Sequence, residues 1–227
     1  MSPTLTAERV ERVGLQPGQA GTDATIDAMS RAALGIYGAG SARIRELAVE
    51  IINGEKGGPA VAERDKRGEV TAIHEWVKSH LRYVSDPTWY EFVTYPETLA
   101  FERPDGDCDD HAVLEAALLG AIGMPTRFVT YSFRGNTAPS HVALQVLLPA
   151  PPGSKQAAGW MTLDPIVKDQ PAGWEAPDAT GRTLYGVNTP TGYTKSAGSK
   201  IVRVIAIALV LVFLGAKLSK SARALSA

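Results

Sequence analysis

Three residue types that together can break an amide bond stand in this chain in a suggestive order: a single cysteine, Cys108, then His141, then Asp164. Cys108 lies in Asp105-Gly106-Asp107-Cys108-Asp109-Asp110, where a glycine-bearing loop runs into a stretch with helical apolar spacing. A sulfur at a helix N-terminus faces unpaired backbone N–H groups, which stabilise thiolate and can also receive an oxyanion during acyl transfer. Asp107, Asp109 and Asp110 oppose this, because anions raise a thiol pKa, so a cationic histidine is needed nearby for the thiolate to prevail. The acids also suit the first turn of a helix for structural reasons alone. A lone cysteine beside an apolar helix is, moreover, ordinarily buried filler. On these residues alone both readings stay open.

His141 opens Ser-His-Val-Ala-Leu-Gln-Val, in which Val142, Val146 and Leu148 alternate with His141, Ala143 and Gln145. An imidazole on the face of a strand away from the core can meet a cysteine across the sheet. Asp164 closes Trp160-Met161-Thr162-Leu163-Asp164-Pro165, where proline ends strand pairing and leaves a carboxylate at the edge. That carboxylate can fix the tautomer of a histidine.

The elements that must position these groups follow from periodicity. Residues 24–53 carry Ile26, Met29, Ala33, Ile36, Ile44, Leu47 and Ile51 at helical spacing, interrupted at Gly38 and Gly40, which predicts a helical pair or a kinked helix. A solvated loop is expected over 55–68, then a helix over 69–81 with Val70, Ile73, Val77 and Leu81 on one face. A third helix starts at Asp107 or Cys108, carries Val113, Leu114, Ala117, Leu118, Ala121 and Ile122, and stops at Gly123 and Pro125. Extended segments are expected over 126–133, 141–148 and 160–163. Helices first and strands after predict an α+β domain with an antiparallel sheet. Residues 170–200, rich in Gly, Pro, Thr and Ser, read as a linker or an arm.

The order Gly-Asp-Cys-Asp-Asp, a Leu-rich helix, Gly-Met-Pro-Thr-Arg, then Ser-His-Val-Ala and Trp-Met-Thr-Leu-Asp-Pro resembles the transglutaminase-like superfamily, over roughly residues 69–167. The resemblance implies a papain-related fold with thiol, imidazole and carboxylate roles at Cys108, His141 and Asp164. It further implies attack on an amide through a cysteine thioester, with a peptide or protein as substrate. Hydrolysis is favoured over cross-linking because bacterial and viral relatives are often assigned protease-like roles. Two features depart from the family: Val142, Ala143 and Leu144 follow the histidine where an aromatic residue is common, and no side chain for the oxyanion hole is legible. Trp89, Tyr90 and Tyr95 read as packing aromatics.

Other polar residues are expected to be bland. Asp105, Asp107 and Asp109 imitate the start of a calcium loop, but Asp110 and Ala116 stand where glycine and glutamate belong. His111 reads as helix surface, and His74 and His80 as surface or partly packed residues. No metal and no cofactor are expected. With a net charge of -1 and scattered Lys and Arg, nucleic-acid binding is not expected either.

The organisation expected is an N-terminal helical region and loop over 1–68, a core over 69–169, the arm over 170–200, and a hydrophobic C-terminal helix over 201–218. Residues 201–216 are apolar on every side except at Arg203, so they need lipid or protein all round. A single membrane anchor is preferred to burial in an oligomer, although the segment is short for a span. The N-terminus lacks a secretory pattern, so synthesis in the cytoplasm is expected, with tethering through that helix. The competing expectation is a structural or assembly protein, membrane-tethered or a phage virion component, that keeps the fold with little activity.

Overall fold

The computed structural model describes residues 10–14, 18–87, 90–135, 138–150, 153 and 157–186. The elements run β1 (Val10–Gly14), α1 (Gln19–Leu34), α2 (Ala42–Ile52), α3 (Lys66–His80), β2 (Arg82–Tyr83), β3 (Tyr90–Thr94), α4 (Pro96–Phe101) and β4 (Asp105–Gly106). They continue with α5 (Cys108–Ala121), β5 (Thr126–Ser132), β6 (His141–Leu148), β7 (Gly159–Leu163) and β8 (Gly181–Gly186). This is an α+β arrangement, with helices preceding an antiparallel sheet.

The 24–53 periodicity resolves into two helices rather than one kinked helix. Gly38 sits so close to the end of α1 that a Cβ there would stand 2.3 Å from the Ala32 carbonyl oxygen, and Ser41 then caps α2 by accepting the Arg43 and Ile44 N–H groups. α3 starts three residues before the expected boundary because Asp65 accepts the Gly68 N–H and so caps it.

α5 is the centre of the molecule. Every residue of it except Cys108 and Gly120 is buried, with α1, α2, α3 and α4 packed around it and β5 and β6 against it. A single apolar stripe therefore understates its surroundings. Leu114, Leu118 and Leu119 fill the core together with Ile26, Ile44, Ile73 and Leu99 from the flanking helices, and with Phe128, Leu144 and Leu163 from the sheet.

The four-stranded sheet has the order β7-β6-β5-β8, all neighbours antiparallel. His141 is opposite Tyr131 in the β5–β6 register, and Leu144 is opposite Leu163 between β6 and β7. Val129, Tyr131 and Ala143 form a second, smaller cluster with Phe133, Ala179 and Leu184.

Six elements escaped the periodicity: β1, β2, β3, α4, β4 and β8. β1 pairs antiparallel with β3, Val13 opposite Glu91, so the region over 1–68 contains a strand as well as helices. α4 is a short helix with proline in its first turn. Residues 181–186, expected in a linker or arm, form β8 along the edge of β5, because a strand that pairs on one side only needs no sustained apolar alternation. The apolar segment 201–218 lies outside the described residues, as do 187–200. Among the described residues, no helix is long and apolar enough to cross a membrane.

The enclosure of α5 makes its leucines the most sensitive positions. Leu118→Ala is expected to lower unfolding free energy by about 2–5 kcal/mol in urea titration, whereas the same change at exposed Val49, 41 % accessible, should cost less than about 1 kcal/mol.

Candidate active site

Cys108 is the first residue of α5, and His141 the first residue of β6. Both line one cleft of about 280 Å3, together with Asp109, Thr130 and Glu91, and with Gly18, Gly21 and Thr22 from the start of α1. Asp164 follows β7, the strand next to β6, and its Oδ2 is 2.8 Å from His141 Nε2. The three residues singled out by sequence are thus brought together. The imidazole and carboxylate are joined by a hydrogen bond, and the sulfur lines the same cleft as the imidazole.

The pairing at Nε2 decides the tautomer. Ionised Asp164 only accepts, so Nε2 carries the proton and Nδ1 is left with a lone pair. The ring lies nearly parallel to that of Tyr131, 6.1 Å between centroids. His141 and Asp164 are largely buried, which holds the pair in one orientation. Among the described residues no hydrogen bond joins the Cys108 sulfur to the imidazole.

The sulfur's surroundings differ from the expectation that a helix N-terminus would favour thiolate. Burial first, and then the Asp107 carboxylate, push the Cys108 thiol up to about 12; the backbone of Val142 works in the other direction but does not prevail. Two first-turn donors are also already taken. Asp107 accepts the Asp109 N–H at 3.3 Å, and Asp109 accepts the Asp110 N–H at 2.7 Å. The Cys108 N–H keeps no such partner among the described residues, and it is the backbone donor left for an oxyanion at this end of the helix.

The remaining acids have structural work. Asp110 accepts the Thr94 N–H at 2.7 Å and so ties the end of β3 to α5. Gly106 fits against that same carboxyl group: a Cβ there would stand 2.2 Å from Asp110 Oδ2. Asp86 accepts the Phe92 N–H. Burial raises Asp109 and Asp110 well above the usual carboxylate range, with Asp107 adding to both. Glu91 is pushed up to about 7, by burial and then by Asp107 and Asp86. The carboxylate groups Asp86–Glu91–Asp107 and Asp107–Asp109–Asp110 each place their oxygens within 4.8 Å of one another.

His111, expected at the helix surface, and His74, expected at the surface or partly packed, are both inside. His111 is fully buried, and its Nδ1–H donates to the Asp107 carbonyl at 2.7 Å. His74 is fully buried too and pairs with Glu115 at 2.8 Å. His111 follows from the enclosure of α5, since a helix covered on all sides has no solvated face to offer, and His74 is buried with the side of α3 that packs on α5, where it meets Glu115. His80 is half-buried and stacks on Trp76 at 4.2 Å. Tyr95 packs edge-on against Tyr37, Tyr90 is exposed beneath Arg12, and Trp89 lies outside the described residues. Glu91 was missed as a cleft residue; a lone acid inside the aromatic and β-branched run 90–95 was the available signal.

Residues 58–165 match the family model of the transglutaminase-like superfamily, a segment that contains Cys108, His141 and Asp164. The resemblance carried by the motifs is therefore shown over that segment. No curated protein matches. Similar solved structures include a protein from Cytophaga hutchinsonii described as a candidate cysteine protease, with 18% identity and a TM-score of 0.39 over 79% of this chain and 64% of that one. Another is Rad4–Rad23 crosslinked to an undamaged DNA, with 14% identity and a TM-score of 0.37 over 83% of this chain and 52% of that one. The chain spans less than two thirds of the length of either.

The charge on Asp107 can be removed without removing its capping oxygen. Asp107→Asn should let the thiol ionise at lower pH, so iodoacetamide labelling of Cys108 at about pH 8 is expected to speed up by roughly threefold to tenfold. In the unsubstituted chain the labelling rate should keep rising with pH to at least about pH 10, and a plateau below about pH 9 would show that the sulfur rests as thiolate.

Proposed function

We propose that this chain is a thiol enzyme that transfers an acyl group from an amide through a thioester on Cys108, with water as the most favoured acceptor and a peptide or protein as substrate. One observation carries this reading: His141 Nε2 is held by Asp164 at 2.8 Å in the cleft that Cys108 also lines, which leaves Nδ1 as the base. The superfamily match over residues 58–165 supports it.

The chemistry follows from the protonation states. A thiol pushed up to about 12 is neutral at rest, so its proton passes to His141 Nδ1 as the sulfur attacks the amide carbonyl. A C–S bond forms, and negative charge develops on the carbonyl oxygen near the Cys108 N–H. Collapse breaks the C–N bond, and the departing amine takes the proton from the imidazolium. Asp164 stabilises that imidazolium and keeps Nε2 protonated throughout. Water then enters, gives a proton to Nδ1 and attacks the thioester, which releases the acid and returns the thiol. An amine in place of water would yield a new amide. The preference for water rests on the resemblance alone.

A second reading has two observations in its favour. The raised thiol and the lack of a sulfur–imidazole hydrogen bond also suit a structural or assembly protein that keeps the fold with little activity.

Incubation with a peptide library followed by intact-mass analysis separates the two. Acyl transfer predicts an adduct on Cys108 that hydroxylamine removes and Cys108→Ala abolishes. Asp164→Asn should slow turnover by about 10²–10⁴-fold with little change in KM. Absence of any adduct or product across peptide, amide and ester substrates would leave the assembly role.

A further inference from the structure

The cleft that holds Cys108 has an excess of negative charge that the chemistry above does not use. Glu91 enters it from β3 and is only partly exposed. It has no hydrogen bond and no ion pair among the described residues. Its neighbours make matters worse, since oxygens of Asp86, Glu91 and Asp107 all lie within 4.8 Å of one another. Asp109, 1 % exposed, lines the same cleft, and its Oδ2 is an acceptor without a donor.

Among the described residues, no lysine or arginine lines the cleft to offset these groups. The nearby bases are engaged elsewhere: Arg12 lies over the Tyr90 ring, and Arg82 and Arg103 both pair with Asp105. Glu91 is accordingly driven up to about 7 by burial and by its anionic neighbours, the signature of a charge that lacks its counterpart. Gly18, Gly21 and Thr22, which line the same cleft, are small.

We infer that Glu91 determines specificity in this cleft, and that the group it selects is an organic cation, an ammonium or guanidinium, placed next to the bond that Cys108 attacks. The inference rests on the reading of Cys108 as the attacking group. An ammonium brings both the charge that Glu91 lacks and N–H donors for its carboxylate. Either a basic side chain of the substrate or an attacking diamine presents this chemistry.

Cys108 is the sole cysteine, so it reports the charge of its own cleft. The full chain is labelled at about pH 8, where Glu91 is ionised, with methanethiosulfonates that transfer a trimethylammonioethyl or a sulfonatoethyl group, each rate being divided by that with mercaptoethanol. The cationic reagent is expected to react about tenfold or more faster than the anionic one. In Glu91→Gln the ratio should fall to within about twofold, and 1 M NaCl should lower it in the unsubstituted chain without any substitution. Because it is a ratio, a change in thiol acidity cancels.

Equal normalised rates in the unsubstituted chain, or an undiminished preference in Glu91→Gln, would overturn the inference. So would loss of the preference on adding millimolar calcium chloride with saturation that needs Glu91, since the carboxylates would then serve a divalent ion. Two further measurements identify the source of the cation. Faster acylation by a lysine-flanked peptide than by its norleucine analogue, lost in Glu91→Gln, assigns it to the substrate side chain. Faster deacylation by ethylenediamine than by ethanolamine, again lost in Glu91→Gln, assigns it to the acceptor, and a turning-over enzyme with neither preference would reject the inference. A chain inert to every ester and amide would defeat the acyl-transfer reading, while the reagent ratio would still decide on Glu91.

Discussion

The structure turns on how the first turn of α5 is held. The helix is enclosed along nearly its whole length, so its N-terminus cannot be moved without disturbing both the flanking helices and the sheet. Cys108 stands at that end, and its position is set by the acids on either side of it. Asp107 caps the turn, Asp110 receives the Thr94 N–H from β3, and Gly106 leaves room for the Asp110 carboxyl group. The same contacts that place the sulfur also place β3, and therefore Glu91, beside it.

This arrangement sets two demands against each other. Carboxyl groups are the natural partners for the exposed N–H groups of a helix start. Next to a thiol, however, they disfavour the anion, and burial disfavours it further. The outcome is a thiol held up to about 12 rather than a ready thiolate. A site of this kind depends on a base that is oriented in advance, because the proton must leave as the bond forms. His141, bonded through Nε2 to a carboxylate that is itself 7 % exposed, has that orientation.

Much of this was legible because it was local. The turn into α5 announced itself through Asp107-Cys108 before a leucine-rich period, and 141–148 coincides with a strand. His141 and Asp164 end up bonded because β6 and β7 are neighbours in the sheet. What could not be read depends on surroundings that no single segment encodes. His111, His74 and Glu115 look like solvated residues until the helices close over α5, and then they must find partners inside. β1 and β8 show little periodicity because each is defined by the strand it pairs with, β3 and β5 respectively.

The pairing of β1 with β3 bears on the cleft as well as on the fold. β3 is a short strand with an acid at its second position, and Val13 opposite Glu91 covers the strand on one side only. Its far end is fastened to α5 through Asp110, and its middle is held by the Phe92 N–H donating to Asp86. Glu91 is therefore held beside an anchored residue whose partner is itself a carboxyl group, with oxygens of Asp86, Glu91 and Asp107 within 4.8 Å of one another. An anion so constrained would be a poor choice for stability alone, since a glutamine would fit the same space without the repulsion. A proton relieves part of that cost near neutrality, as the rise to about 7 shows, and a positive group entering the cleft would relieve it in the ionised state, so the charge at this position is better understood through what approaches Cys108 than through what holds the strand.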